Sequence, residues 1–139
     1  MKILMVEPGK SPYEMEIDPG LKSLQAAVGG DIQAVYPYED PVAIICNEEG
    51  KFLSLPLNRA LYDDDGRMYD IVAGSFLMVG LGDEDFTDMP PELMAKYAEQ
   101  FRYPEKFVRL AGEIIAVKQP ATDKTQEEVP KPSRSGPEL

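Results

Sequence analysis

The chain has no histidine and no tryptophan, and it has a single cysteine. Without histidine, Cys/His zinc sites, Ser-His and Cys-His nucleophile pairs and imidazole acid-base chemistry are all closed to the chain by itself. With only Cys46 there is no internal disulfide. That residue sits in the apolar stretch Val42-Ala43-Ile44-Ile45-Cys46, so it reads as a buried structural thiol rather than a reactive one. Long apolar runs are absent too. Those present, such as Phe76 to Val79, are strand-sized and far from the roughly 18–20 residues of a membrane-spanning helix. Met1 to Val6 meets Glu7-Pro8 at once, which leaves no room for the apolar core of a signal peptide. A cytoplasmic location is the expectation.

Positive charge is also scarce. Lys and Arg number 14 against 25 Asp and Glu, a formal charge of −11 over 139 residues. From Lys118 onward the two signs balance at four each, so residues 1–117 carry the whole excess. Such a surface repels nucleic acid and anionic membranes and attracts basic partners.

Apolar residues make up 43% of the chain, enough to fold one domain of ordinary size. Met1 to Val6 reads as a strand. Tyr13, Met15 and Ile17 alternate with Glu14, Glu16 and Asp18, the period-2 pattern of a strand with one buried face. Asp18-Pro19 followed by Leu21, Leu24 and Val28 predicts a short helix that Gly29-Gly30 stops. Strands follow through Ile32 to Tyr36 and Val42 to Cys46, then a turn at Asn47 to Gly50 leading to Phe52, Leu53 and Leu55. Leu57 to Leu61 fits a helical turn or a loop. Tyr69 to Val79 reads as one strand bulged at Gly74. Leu93, Tyr97 and Phe101 fall four apart behind Pro90-Pro91, the clearest helix. Pro104-Glu105 suggests one more helical turn through Leu110, before a last strand at Ile114 to Val117.

The expected fold is therefore α+β: a mostly antiparallel sheet of five or six strands with two or three helices on one face, formed by residues 1–117 as a single domain. Residues 118–139 contain four prolines, no aromatic residue and two large aliphatics, so a disordered tail is expected there.

Three constellations invite a functional reading. Asp63, Asp64 and Asp65 before Gly66 superficially resemble the opening of a calcium loop, but Val72 stands where its bidentate Glu belongs, so a solvated turn is the better account and no metal is expected. Glu14, Glu16 and Asp18 would stand about 6.6–6.8 Å apart on a strand, roughly twice the phosphate repeat of a DNA strand. With Glu7, Glu39, Asp40 and the acidic turns at 63–65 and 83–85, they could mimic nucleic acid before a basic groove; the pattern alone is better described as the water-facing side of an amphipathic strand. Asn58-Arg59 interrupts the apolar series Leu55, Leu57, Ala60, Leu61, and polar groups so placed need water or partners. The functional version is a ligand pocket of Arg59, Asn58, Asn47 and Tyr36; the structural version is a set of internal hydrogen bonds.

Taken in order, Met1 to Gly9, Leu24-Gln25-Ala26-Ala27-Val28-Gly29-Gly30, Ala34-Val35-Tyr36-Pro37, Ile44 to Lys51, Leu55-Pro56-Leu57-Asn58-Arg59-Ala60-Leu61 and Asp70 to Phe76 resemble domain-of-unknown-function family 3846 over roughly residues 1–101. The resemblance implies short proteins of conjugative transposons, plasmids and phages of gut Firmicutes, with no established activity and no catalytic residues to carry over. Such elements commonly encode antirestriction and anti-CRISPR proteins. The functional expectation is a non-catalytic, cofactor-free acidic protein whose partner is a basic protein surface, of the kind a host defence nuclease offers. A small-ligand domain centred on Arg59, and a homodimeric accessory module, stand as alternatives.

Overall fold

The computed structural model describes residues 1–121. The elements run β1 (Lys2–Val6), β2 (Tyr13–Glu16), α1 (Leu21–Val28), β3 (Ile32–Val35), β4 (Val42–Asn47), β5 (Leu57–Tyr62), β6 (Met68–Ala73), β7 (Phe76–Leu81), β8 (Phe86–Thr87), α2 (Pro91–Gln100), β9 (Glu105–Leu110) and β10 (Glu113–Lys118). The main sheet is six-stranded, in the order β2-β1-β7-β4-β3, with the short β8 pairing β7. All its pairings are antiparallel. Two separate hairpins, β5-β6 and β9-β10, complete the α+β architecture.

The central strands explain the layering. Every residue of β4, and Phe76 to Gly80 of β7, is buried, so the sheet is apolar on both faces and needs cover on both. On one face Ile3, Met5, Ala43, Ile45, Leu77 and Val79 pack against Leu24 and Val28 of α1. On the other, Leu4, Val6, Val42, Ile44, Phe76 and Met78 pack against Met94 and Tyr97 of α2 and against Leu61 and Val72 of the β5-β6 hairpin. The helices thus lie on opposite faces, which corrects the expectation that they share one: strands without alternation cannot leave a face to water.

Four local expectations change for identifiable reasons. Leu57 to Leu61 belongs to a strand, β5, because the side chains of Asn58 and Arg59 find partners inside. Tyr69 to Val79 is two strands in different sheets. They are divided at Gly74, whose φ of 86° suits glycine, and whose amide donates to the Pro56 carbonyl at 2.7 Å. The segment from Pro104 to Leu110 is the strand β9 rather than a helical turn. It pairs with β10 through Ala111 and Gly112, both at positive φ as a two-residue hairpin turn of this hand requires. Phe52 to Ser54 forms a turn, and Leu55 lies outside any strand.

β2 is an edge strand and all four of its residues are exposed, Tyr13 and Met15 included, so its alternation does not mark a buried face. Asp18 does not cap α1, whose N-cap is Gly20. Lys118, expected to open the tail, closes β10, and the Gln119 amide donates to the Pro104 carbonyl at 2.7 Å. The expected disordered tail otherwise falls, from residue 122, outside the described residues.

Candidate binding surface

Arg59 is fully buried, and its guanidinium is used internally. Nε and Nη2 donate to the Phe101 carbonyl at 3.1 and 2.8 Å, Nη2 to the Lys10 carbonyl at 2.7 Å, and Nη1 to Asn58 Oδ1 at 2.8 Å. Burial pushes its pKa down to about 10, partly opposed by the negative charge of Glu105. Asn58 Nδ2 donates to the carbonyls of Val6 and Gly74 at 3.0 and 2.9 Å. Asn47 is committed as well: Nδ2 donates to the Val28 carbonyl at 3.2 Å and Oδ1 accepts from the Glu49 amide at 2.8 Å, joining the end of α1 to the end of β4. Tyr36 is exposed and lines a different region. The four residues do not come together as a pocket; three of them are structural ties.

The eight acidic residues divide into two groups, because β2 and β3 are opposite edges of the sheet. Glu14, Glu16 and Asp18 are exposed on and beside β2. Glu39 and Asp40, between β3 and β4, meet Asp63 and Asp64 from the β5-β6 turn across a groove of about 760 Å³. Asp65 belongs to the same turn. There, Asp63 Oδ1 accepts from the amides of Asp65 and Arg67, both at 2.9 Å, which fixes the loop.

Four tyrosines share this groove: Tyr36, Tyr38, Tyr62 and Tyr97. Asp40 Oδ2 accepts from Lys96 Nζ and from the Tyr97 hydroxyl, each at 2.7 Å. These bonds, Lys96 first, hold the Asp40 carboxyl below its ordinary range. Burial, with Asp40 adding to it, pushes the Tyr97 hydroxyl well up. Tyr38 packs against Tyr97 with the rings tilted by 37° and their centroids 4.9 Å apart, and its own hydroxyl is pushed up to about 12, chiefly by burial. Lys96 Nζ also stands 5.3 Å from the centre of the Tyr97 ring. An ammonium held between a carboxylate and a tyrosine face is the chemistry by which such a groove takes a cation. Sequence reading missed Tyr38, Tyr62, Lys96 and Tyr97. The signal was the paired wording Tyr-Pro-Tyr-Glu-Asp at 36–40 and Tyr-Asp-Asp-Asp at 62–65.

A smaller cleft of about 330 Å³ lies between β3 and the β5-β6 hairpin. Val35, Cys46, Leu61 and Val72 give it an apolar lining, and Glu48, Glu49 and the Lys51–Asp70 ion pair give it a polar one. Cys46 Sγ donates to the Gln33 carbonyl at 3.7 Å, and burial raises its pKa, which keeps the thiol protonated.

A family model described as Domain of unknown function (DUF3846) matches residues 1–102. The chain belongs to this family. No curated protein and no solved structure matches it. The DUF3846 region spans β1 to α2 and so contains the groove, the cleft and the ties of Asn47, Asn58 and Arg59, while the β9-β10 hairpin lies beyond it. Among the described residues no group of three or more His, Cys, Asp or Glu is placed to hold a metal ion, and no helix is long and apolar enough to cross a membrane.

Proposed function

We propose that this member of the DUF3846 family is a non-catalytic binding protein that presents carboxylates and tyrosine rings to a basic protein partner. The groove at the β3 end carries the reading. Among the described residues, the side chains of Glu39 and Asp64 have no hydrogen bond or ion pair, and they line the same groove as Tyr36 and Tyr62. Carboxylates left free beside aromatic faces suit incoming lysine or arginine side chains. The partner class that fits is a nucleic-acid-handling protein of a host defence system, whose basic groove the acidic surface would occupy, which would make this chain an inhibitor of antirestriction or anti-CRISPR type. Mobile genetic elements are the setting this reading assumes, and the cytoplasm the compartment. The carboxylates on and beside β2 offer a second negative strip on the opposite edge.

The test is capture from lysate of a natural host, at low and high salt, by the wild-type chain and by the double variant Glu39→Lys/Asp64→Lys. A basic protein retained at low salt, released at high salt and lost with the variant is the expected result. Retention that ignores both salt and the charge reversal would remove the proposal.

A further inference from the structure

The cleft, the groove and the free edge of the sheet lie along one line. β3 is a terminal strand whose only partner is β4, so its outer row of main-chain amides and carbonyls is unpaired among the described residues. Gln33 and Val35 of β3 stand opposite Cys46 and Ile44, and so on the face that α2 and the β5-β6 hairpin cover. Both line the cleft, and the next residue, Tyr36, lines the groove. The hairpin repeats the order, with Leu61 in the cleft and Tyr62, Asp63 and Asp64 in the groove.

We infer that β3 takes an additional strand from the partner: an extended segment in which an apolar side chain enters the cleft while a lysine or arginine further along the same face enters the groove. The inference rests on the proposed function and specifies the form of the partner it recognises. A strand laid against β3 sends every second side chain to one face, about 6.8 Å apart, and main-chain bonds supply affinity while alternate pockets supply selection. The cleft's apolar lining over Val35, Leu61 and Val72 selects an aliphatic side chain. Glu48 and Glu49 at that cleft, and Glu39 and Asp64 at the groove, select positive neighbours. A second copy of this chain is the poorer occupant, because each copy brings a charge of −11 and the residues flanking β3 include Asp31, Glu39 and Asp40.

The experiment pans a random-peptide phage library on the full chain and then measures synthetic versions of the selected peptides by fluorescence polarisation. Each is tested unmodified and with backbone N-methyl groups on either alternate set of amides. Selection of peptides with an aliphatic and a basic residue on one face is expected. Affinity should fall about tenfold or more when one alternate set is methylated and little with the other, since only one set faces β3. The exposed cleft residue Gln33, changed to Trp, should plug the cleft and weaken binding similarly. N-methylation leaves the protein untouched, so a folding defect in Gln33→Trp does not rescue the idea. If no peptide is enriched, or both methylated forms bind like the parent, strand addition is wrong. Peptides that then remain sensitive to salt and to Glu39→Lys/Asp64→Lys leave the basic-partner reading standing, whereas insensitivity to these as well removes both. Concentration-dependent dimerisation in light scattering that the peptides abolish would assign the edge to a second copy and overturn the inference.

Discussion

The guanidinium of Arg59 donates twice to the main-chain carbonyl of Phe101, the residue that caps the C-terminal end of α2. Helix-end carbonyls have no partner within the helix, and here a side chain 42 residues away supplies one. Replacing Arg59 by Met keeps the bulk but strips donors from the Phe101 and Lys10 carbonyls and from Asn58 Oδ1. A loss of about 2–5 kcal/mol is expected, from buried acceptors left unsatisfied. It should appear as a lower urea midpoint at unchanged slope. Arg59→Lys should also destabilise, since a lysine cannot reproduce the fork. A midpoint unchanged in both variants would mean that the network holds nothing together.

Asp40 gives an acid-side prediction. Its carboxyl is held below the ordinary 3.8 by hydrogen bonds from Lys96 and Tyr97, so the unfolded chain takes up the proton first as pH falls. The resulting stability is complete above 3.8 and disappears as pH drops through the lower folded value. Asp40→Asn removes this contribution. The gap in thermal midpoint between wild type and variant should therefore be widest near neutrality and close in strong acid. A gap that stays constant with pH would show that the ionised carboxylate contributes nothing.

Tyr38 gives the opposite sign on the alkaline side. With its hydroxyl raised from 10.0 to about 12, it adds stability that is fully present below 10 and lost as pH rises through the folded value. Tyr38→Phe should accordingly lose less stability than wild type between pH 10 and 12. Parallel alkaline melting curves for the two proteins would contradict it.

Gly74 separates β6 from β7 at a φ of 86°, and a Cβ added there would lie 2.7 Å from Leu55 Cδ1. Gly74→Ala should cost about 1–3 kcal/mol by chemical denaturation, from the unfavourable backbone and the displaced leucine. Gly66, at a φ of 82° but with open space around it, serves as the control, since it isolates the backbone contribution. Equal losses at the two positions would show that the Leu55 contact adds nothing.

How far the sequence speaks for the fold depends on where partners lie. The strands β1, β3 and β4 and both helices are legible because their apolar spacing is local. β5 was not, because Asn58 and Arg59 break the apolar pattern and the main-chain carbonyls that satisfy them are 16 to 52 residues away. β9 was misread because Pro104-Glu105 resembles a helix start, and because the strand shows little apolar alternation, with Lys106, Val108 and Leu110 all exposed on one face. The mostly apolar text from Tyr69 to Val79, interrupted by Asp70 and Ser75, conceals a change of sheet at Gly74. For the site, each acidic turn was visible by itself. Their meeting with Tyr97 and Lys96 was not, since it needs α2 laid beside the segment that precedes β4.

The Asn58-Arg59 pair also bears on how the molecule comes apart. Main-chain atoms of Val6, Lys10, Gly74 and Phe101 converge on two adjacent side chains of β5. None of these segments can peel away alone without stranding the others' bonds. The region they enclose should open as one cooperative unit, with slow amide exchange of similar depth in β1, β5 and the end of α2.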